Sequence, residues 1–170
     1  MVMKGYYLDP QATEEAIKDG WLHTGDIGNL SPEGFLTITD RKRDMIKTSN
    51  GKYVAPQKIE SMLKAYNLIS QVHIVGNRRK HIGALITLNR EHVRTLDQKA
   101  RRQIDEIINS VNDRLKEYEY IKKYSILPND FTVEAGEITP SLKVRKKFVE
   151  EKYGAVIESL YANEENYTSA

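Results

Sequence analysis

Hydrophobic and polar residues change their spacing along this chain, and the changes predict both helices and strands. The clearest helix covers residues 98–117, where apolar residues recur every three or four positions. Two continuous runs rich in β-branched residues, "ISQVHIVG" and "HIGALITL", flank the polar turn "NRRK" and predict an antiparallel strand pair. The pattern therefore indicates that helices and a sheet are mixed in one fold.

Shorter elements fill the rest of the chain. Proline opens two helical segments, at Pro10 and at Pro56, where its fixed φ suits the first turn. Two short strands, roughly 25–30 and 35–39, are joined by a turn at "SPEG", and "YSILP" predicts a further strand. The segment "VRKKFVEEKYGAVIESLY" carries a helical stripe, which predicts one helix or two helices broken near Gly154.

These elements predict an α+β fold: a small, mainly antiparallel sheet with helices packed on it, preceded by a short β segment that belongs to a missing larger domain. The four charges "RKRD" at residues 41–44 separate two strand-like segments and give the best boundary. The final "ANEENYTSA", residues 162–170, has no apolar period and is expected to be a disordered tail.

Composition narrows the functional classes. The chain has 170 residues, a net charge of +2 and no cysteine, which excludes disulfides, thiolate zinc sites and a cysteine nucleophile. The near-balanced charge argues against nucleic-acid binding. None of the four histidines has a carboxylate or second histidine at metal-ligand spacing, so we expect no metal site. No apolar run approaches ~18 residues, and we expect a soluble, cytoplasmic protein.

Three short stretches carry candidate chemistry, and each also has an ordinary structural explanation. Asp26 in "HTGD" offers two acceptor oxygens that suit vicinal ribose hydroxyls, but an aspartate also stabilises its own turn. Arg41 in "DRKRD" offers donors to phosphate or ribose oxygens, or it is a solvated strand end. Lys47 opens "KTSNGKYVAP", a ligand-binding loop or a plain connection from strand to helix.

The fourth stretch is "GEITPSLKVRKK", residues 136–147, in which a Gly- and Pro-bearing loop carries Lys143 between two apolar residues. A lysine amine delivered by such a loop can neutralise negative charge that develops when a carboxylate attacks a phosphate. The flanking apolar residues would then seat the loop. Alternatively, Lys143 lies along an apolar surface with its amine in water.

Taken in order, five stretches resemble the successive C-terminal motifs of the adenylate-forming enzymes: "MKGYYLDPQAT", "GWLHTGDIG", "GFLTITDRKRDMIK", "NGKYVAPQKIE" and "GEITPSLKVRKK". That superfamily includes acyl-CoA synthetases, peptide-synthetase adenylation domains and luciferases. The resemblance extends from Met3 to about Phe148. The form "TPSLK", where many relatives read Ser-Gly-Lys, is most similar to the long-chain fatty-acid–CoA ligases.

The resemblance implies roles for the residues that match. Asp26 matches the aspartate that holds the ATP ribose hydroxyls, and Arg41 matches the arginine that contacts the nucleotide. Arg43 occupies the hinge position, at which Asp or Lys is common, and about which the C-terminal domain swings between two orientations.

The resemblance also implies a residue set for each orientation. Lys143 matches the lysine that bridges the acyl carboxylate and the α-phosphate during adenylation. Gly51 matches the glycine beside which the pantetheine of CoA passes in the second orientation, and Lys47 lies in the same region.

The resemblance thus implies that residues 1–41 are the edge of an N-terminal adenylate-binding domain up to the hinge, and that 42–161 form a mobile lid. We expect the lid of an ATP-dependent fatty-acid–CoA ligase, whose partners are its own N-terminal domain, fatty acid, ATP with Mg²⁺, and CoA. The family's phosphate loop, magnesium-binding glutamate motif and acyl pocket are absent from this sequence, so we expect no overall catalysis by this chain alone.

Two alternatives remain at this point. The lid could belong to an adenylation enzyme that loads a carrier protein instead of CoA, because the carboxyl-activating residues would be identical. More distantly, the basic stretches "NRRKH" and "VRKK" could serve a polyanion-binding module, whose affinity would fall steeply with salt.

Overall fold

The computed structural model describes residues 2–93 and 96–162. It divides between Met45 and Ile46 into two compact units, Met1–Met45 and Ile46–Ala170. The predicted disordered tail lies outside the described residues from position 163 onward.

The first unit is a helix followed by two antiparallel strand pairs. Its elements are α1 (Pro10–Ala16), β1 (Ile17–Lys18), β2 (Trp21–Leu22), β3 (Asp26–Leu30), β4 (Leu36–Arg41) and a 3₁₀ turn (Lys42–Asp44). Strand β1 pairs with β2, and β3 pairs with β4. The two strands predicted at 25–30 and 35–39 are therefore confirmed.

Local chemistry explains where α1 begins and ends. The Asp9 carboxylate accepts a hydrogen bond from the Ala12 amide at 2.9 Å, and Pro10 occupies the first turn. The helix ends at Ala16, because the next residue, Ile17, already has extended φ and ψ of −117° and 110° and begins β1. Among the described residues of this unit, no hydrophobic side chain is buried.

The second unit is a three-stranded sheet with helices on it. Its elements are β5 (Ile46–Lys47), β6 (Tyr53–Val54), α2 (Pro56–Lys64), β7 (Ile69–Val75), β8 (Ile82–Leu88), α3 (Gln98–Asn112), a 3₁₀ turn (Glu117–Glu119), β9 (Ile121–Ile126), α4 (Lys146–Lys152) and α5 (Gly154–Tyr161). The sheet order is β7-β8-β9, and β5 pairs with β6 separately. Strands β7 and β8 are antiparallel, as predicted, whereas β9 runs parallel to β8.

The core of this unit has two sides. Because side chains alternate along a strand, Leu85 of β8 points away from Ala84 and Ile86. Ala84 and Ile86 pack into a large cluster with the apolar faces of α2 and α3. Leu85 packs instead into a second cluster with Phe131, Val149 and partly buried residues of α5. The α+β arrangement predicted from the sequence is confirmed.

One helix prediction differs in detail from the structure, and one is confirmed in its two-helix form. Helix α3 ends at Asn112, before the predicted end at residue 117, because the Asn112 side chain exchanges two hydrogen bonds with the Ile121 backbone, at 2.9 and 3.1 Å. The C-terminal stripe forms two helices, α4 and α5, which separate at Tyr153 and Gly154. Within the described residues, every helix is too short or too polar to cross a membrane.

Candidate functional site

The two predicted nucleotide contacts, Asp26 and Arg41, lie directly opposite each other on the β3–β4 hairpin. The Arg41 Nε lies 3.1 Å from the Asp26 Oδ1, with 53% of the arginine side chain and 26% of the aspartate side chain exposed. The pair therefore presents one carboxylate and one guanidinium together at the end of the hairpin, where both remain accessible to a ligand.

The turn before β3 fixes this hairpin end. Gly25 has a φ of +74°, a left-handed conformation that favours glycine. Its carbonyl accepts a hydrogen bond from the Lys42 amide at 2.8 Å, and the Thr24 hydroxyl accepts one from the Asp26 amide at 3.1 Å. The "TGD" sequence thus positions Asp26 by one backbone hydrogen bond across the hairpin end and one hydrogen bond to the Thr24 side chain.

The predicted hinge residue, Arg43, lies in the 3₁₀ turn Lys42–Asp44 that follows β4. Its side chain is 78% exposed, and its Nε lies 3.9 Å from the neighbouring Asp44 Oδ1. A weak, solvated contact of this kind leaves the Arg43 backbone with little side-chain restraint.

The predicted CoA-side residues lie in the loop that joins β5 to β6. Lys47 stands opposite Tyr53, and its Nζ is 5.6 Å from the centre of the Tyr53 ring. Gly51 has a φ of +73° and donates its amide hydrogen bond to the Thr48 carbonyl at 2.9 Å. The positive φ favours glycine at this position. Among the described residues, and apart from its two chain neighbours, no atom lies within 4 Å of the position that a Cβ of Gly51 would occupy, so the space beside it is open.

The same loop is tied to the turn between β7 and β8. The Arg78 amide donates to the Lys47 carbonyl at 2.8 Å, and the Ser49 amide donates to the Arg79 carbonyl at 2.9 Å. The Arg79 guanidinium in turn contacts the Glu158 carboxylate of α5. Backbone hydrogen bonds from the basic turn at Arg78 and Arg79 therefore hold the β5–β6 loop. The Arg79 side chain in turn connects this turn to α5.

Lys143 lies at the end of a short closed loop, residues 139–143, and its side chain is exposed. Ile138 and Val144 bridge the base of the loop as antiparallel partners. Inside the loop, the Thr139 amide donates to the Lys143 carbonyl at 2.8 Å, and the Lys143 amide donates to the Thr139 hydroxyl at 3.1 Å. The loop is thus ordered by its own hydrogen bonds and presents one lysine to solvent.

The apolar residues on either side of Lys143 have different roles. Val144 packs against the second core cluster, as expected of a residue that seats the loop. Leu142 is 66% exposed and has a φ of +59°, which is left-handed. The turn that closes the loop points the Leu142 side chain outward, so the expectation that Leu142 seats the loop in a site of the other domain stays a prediction.

Sequence reasoning missed a buried carboxylate beside this loop. Glu137 is 2% exposed and accepts hydrogen bonds from the Thr132 amide, the Lys152 Nζ and the Tyr153 hydroxyl at 2.9, 2.9 and 2.5 Å. Burial favours its neutral form, but these hydrogen bonds outweigh burial and hold the pKa of Glu137 below its usual value. The sequence signal that could have indicated this buried carboxylate was its single charge between Gly136 and the apolar Ile138.

His73 is a second group whose environment the sequence did not reveal. It is 1% exposed in β7, with its Nε2 3.1 Å from the Glu150 Oε1 of α4 and its Nδ1 3.7 Å from the Glu60 Oε1 of α2. Burial lowers the pKa of His73, but the two glutamates outweigh burial and raise it above its usual value. No sequence spacing could reveal this cluster, because its members are far apart in the chain.

The described residues do not fit a Mg²⁺ site. Throughout 2–93 and 96–162, no three His, Asp or Glu side chains converge closely enough to hold a metal ion. Asp26, one of the two predicted nucleotide contacts, is already paired with Arg41. Magnesium is therefore expected only as the ion that accompanies ATP.

Comparisons with known proteins agree with this arrangement. The model of the family described as "AMP-binding enzyme C-terminal domain" matches residues 43–165. Long-chain-fatty-acid–CoA ligase FadD15 of Mycobacterium tuberculosis is 40% identical over 181 aligned positions, which cover 96% of this chain and 30% of that protein.

Solved structures show the same relationship. The adenylation domain of the carboxylate reductase from Mycobacterium chelonae superposes with a TM-score of 0.77 at 27% identity, covering 94% of this chain and 26% of that one. The A domain of carboxylic acid reductase from Segniliparus rugosus, in complex with AMP and a co-purified carboxylic acid, gives a TM-score of 0.77 at 25% identity, over 94% and 26% of the two chains.

The family match extends over most of the chain and the fold agrees with it. This chain belongs to the C-terminal domains of the AMP-binding, adenylate-forming enzymes. It spans about 30% of the length of the fatty-acid–CoA ligase to which it is similar.

Proposed function

We propose that this chain is the C-terminal lid domain of an ATP-dependent fatty-acid–CoA ligase. The observation that carries the proposal is the closed, hydrogen-bonded loop that presents the exposed Lys143. The 40% identity to a long-chain-fatty-acid–CoA ligase supports the choice of a fatty acid as the carboxylate and CoA as the acceptor.

The reaction has two steps. The fatty-acid carboxylate attacks the α-phosphate of ATP, an oxygen–phosphorus bond forms, and pyrophosphate departs with the electron pair of the broken bond. The CoA thiolate then attacks the acyl carbon of the acyl-adenylate and displaces AMP. Neither step requires a covalent bond to the protein, so the contribution of this domain is to position ligands and stabilise charge.

Lys143 acts in the first step. An ammonium group held between the acyl carboxylate and the α-phosphate offsets the repulsion between two anions and the charge that builds on the phosphate oxygens. A loop closed by internal hydrogen bonds suits this role, because the lysine backbone is already fixed before the ligands bind.

Asp26 and Arg41 bind the nucleotide. The Asp26 carboxylate accepts hydrogen bonds from the two ribose hydroxyls, and Arg41 donates to nucleotide oxygens. Their ion pair, at 3.1 Å, keeps both side chains at the hairpin end before the nucleotide arrives.

Arg43 is the hinge about which the domain 42–161 turns between the two steps, relative to an N-terminal domain beyond residues 1–41. In the second orientation, the β5–β6 loop with Lys47 and Gly51 faces the pantetheine of CoA. The open space beside Gly51 supports this role, since a side chain there would narrow the path. The cytoplasmic location expected from the sequence remains a prediction.

The test uses Lys143→Ala in the full-length enzyme, with the two half-reactions assayed separately. We expect acyl-adenylate formation to fall by about a hundredfold or more, because one preorganised charged donor is lost. Thioester formation from supplied acyl-adenylate and CoA should be largely kept. Lys147→Ala is the matched control, since Lys147 is exposed nearby on α4 but outside the loop.

Equal loss in both half-reactions would contradict the proposal, because it would indicate a general structural role. Unchanged adenylation would remove Lys143 from the site altogether. The carrier-protein alternative is tested in the same second half-reaction. An enzyme that transfers the acyl group to a phosphopantetheinylated carrier protein, but not to free CoA, would overturn the choice of CoA.

A further inference from the structure

The base of the Lys143 loop is held by a carboxylate to which neither the resemblance nor the comparisons give a role. Glu137 lies next to Ile138, the first residue of the bridge that closes the loop. Its side chain is turned inward and almost completely buried, although both neighbouring segments reach the surface. A buried carboxylate is costly unless it is fully paired, so its three donors require an explanation.

Those donors come from two separate segments. The Thr132 amide donates to the Glu137 Oε2, whereas Lys152 and Tyr153 both donate to the Oε1 from the end of α4. The carboxylate therefore joins the turn before the loop to the helix after it. Because the loop leaves one segment and enters the other, this connection sets the separation of its two ends.

The backbone of the same residue closes the arrangement. The Glu137 carbonyl accepts a hydrogen bond from the Arg145 amide at 2.8 Å, just outside the bridge between Ile138 and Val144. The Arg145 guanidinium also donates to the Gly136 carbonyl at 3.1 Å. The backbone of Glu137 thus binds Arg145 on the opposite side of the loop's base. Its side chain binds the turn before the loop and the end of α4 after it.

We propose that Glu137 is a positioning residue that holds the ends of the 139–143 loop together and thereby fixes the place of Lys143 for the adenylation step. The structural half of this proposal depends only on the described contacts. The catalytic half rests on the function proposed above for Lys143.

The charge on Glu137 is part of this role. Glutamine has the same shape, but its amide nitrogen cannot accept the hydrogen bond from the Thr132 amide, and its neutral oxygen attracts Lys152 less strongly. Conversely, if the glutamine oxygen faces Thr132, its amide nitrogen must face the two donors of α4. Either orientation leaves at least one donor without an acceptor.

The first experiment uses this 170-residue chain and Glu137→Gln, with amide hydrogen exchange measured residue by residue by NMR. We expect the amides of Thr139, Leu142, Lys143 and Arg145 to exchange at least about tenfold faster, because each is hydrogen-bonded in or beside the loop. Amides of β7 and β8 should keep their wild-type exchange rates.

Glu119→Gln is the matched control. Glu119 is also buried, at 6% exposure, and it accepts from one lysine, Lys58, and one backbone amide, that of Lys116. It does not contact the loop, so its substitution should leave the four loop amides unchanged. Tyr153→Phe removes a single donor to Glu137 and should increase the exchange rates of the loop amides less than Glu137→Gln does. This second variant still tests the proposal if Glu137→Gln fails to fold.

Unchanged exchange of the loop amides in both Glu137→Gln and Tyr153→Phe would overturn the proposal. An equal increase at all amides would also overturn it, since Glu137 would then stabilise the whole unit and not the loop. These outcomes do not depend on what Lys143 does, so they separate this inference from the proposed function.

The second experiment places Glu137→Gln in the full-length enzyme. We expect adenylation to fall between about ten- and a hundredfold through misplacement of Lys143, with thioester formation kept. If the loop amides exchange faster but both half-reactions are unaffected, the catalytic half fails while the structural half stands. If Lys143→Ala is also without effect, the proposed function has failed instead.

Discussion

The predicted nucleotide contacts, Asp26 and Arg41, form one ion pair for which a structural and a functional role can be told apart. Asp26 and Arg41 neutralise each other across the hairpin, but they do so at a partly exposed ion pair. Exposed pairs contribute only about 0–1 kcal/mol to folding. Their position is therefore poorly explained by stability and better explained by a ligand that both side chains can reach.

Asp26→Asn tests this distinction. We expect the free energy of unfolding to change by less than about 1 kcal/mol, because the exposed ion pair contributes little. In the full-length enzyme, the Kd for nucleotide should rise by roughly ten- to a hundredfold, since hydrogen bonds to a charged acceptor contribute about 1.5–3 kcal/mol. Calorimetric titration and urea denaturation measure the two quantities.

Glu15→Gln is the control for Asp26→Asn, because Glu15 is an exposed carboxylate on α1 and was given no ligand role. It should leave both stability and nucleotide affinity unchanged. A wild-type nucleotide Kd for Asp26→Asn would remove the ribose assignment, whatever its effect on stability.

Leu142 is the residue at which the loop stores backbone strain. Its left-handed φ of +59° costs a non-glycine residue about 1–2 kcal/mol, and its 66% exposure means that little burial offsets this cost. Glycine would remove the strain but would lose about 0.5–1 kcal/mol through its greater freedom in the unfolded chain. The Ser-Gly-Lys form seen in many relatives fits this conformation directly.

We therefore expect Leu142→Gly to be neutral or to stabilise the chain by up to about 1 kcal/mol in urea denaturation. Leu142→Val should destabilise it, because a β-branched side chain tolerates a positive φ poorly. The pair is informative because both substitutions shorten an exposed apolar side chain. A loss of more than about 1 kcal/mol for Leu142→Gly would show that the Leu142 side chain, and not the backbone, determines the loop.

At the level of elements, the sequence predicts what is local and misses what is distant. The β7–β8 pair follows from two apolar runs around one polar turn, and α3 follows from the spacing of its apolar residues. Both signals could be read because each lies within one short segment of the sequence. The end of α3 could not be predicted, since it depends on Asn112 binding the backbone of Ile121 after the chain has reversed.

The candidate site divides in the same way. The sequence motifs indicated Asp26, Arg41 and Lys143, but not that the first two form an ion pair, nor that the third depends on a neighbouring buried carboxylate. Glu137 meets Lys152 and Tyr153 only when α4 has packed beside the loop. Supporting residues of this kind are defined by tertiary packing, which leaves no periodic signal in the sequence.

The His73 cluster joins three elements, and it predicts that the stability of the folded chain depends on pH. His73 in β7 lies between Glu60 of α2 and Glu150 of α4, which together raise its pKa above the ordinary value of 6.5 despite burial. A raised pKa means that the folded chain holds the proton more tightly than the unfolded chain does. The resulting stability is fully present below pH 6.5 and is lost as the pH rises through the folded-state pKa.

His73→Gln should abolish this dependence. We expect the free energy of unfolding of the wild-type chain to fall as the pH is raised above 6.5, and the curve of His73→Gln to be flatter over the same range. Urea denaturation at a series of pH values measures both curves. His92→Gln serves as the control, because His92 is exposed and should leave the wild-type slope intact.

A wild-type slope in His73→Gln would contradict the assignment, since the titrating group would then lie elsewhere. The lowered pKa of Glu150 does not interfere. The His73 hydrogen bond lowers the pKa of Glu150 against the effect of burial. The contribution of Glu150 to stability is therefore fully present above its ordinary pKa of 4.5 and is lost as the pH falls through its lowered folded-state pKa.

At the scale of the whole molecule, the hydrophobic core is distributed unequally between the two units. Among the described residues, every buried hydrophobic side chain lies at or after Ile46, and the only buried residue of the first unit is the polar Asp40. Since burial of apolar surface supplies most of the driving force for folding, the second unit holds nearly all of it.

A chain of residues 46–170 should therefore fold by itself. We expect its free energy of unfolding to lie within about 1 kcal/mol of that of the whole chain, because the described residues that are removed include no buried hydrophobic side chain. Ile86→Ala provides the internal standard: Ile86 is 0% exposed in the central strand, and its truncation should cost about 2–5 kcal/mol in both chains.

A truncated chain that is unfolded, or in which Ile86→Ala has a much smaller effect, would show that residues 1–45 are needed to complete the fold. The predicted boundary at residues 41 and 42 would then have to move towards the N-terminus.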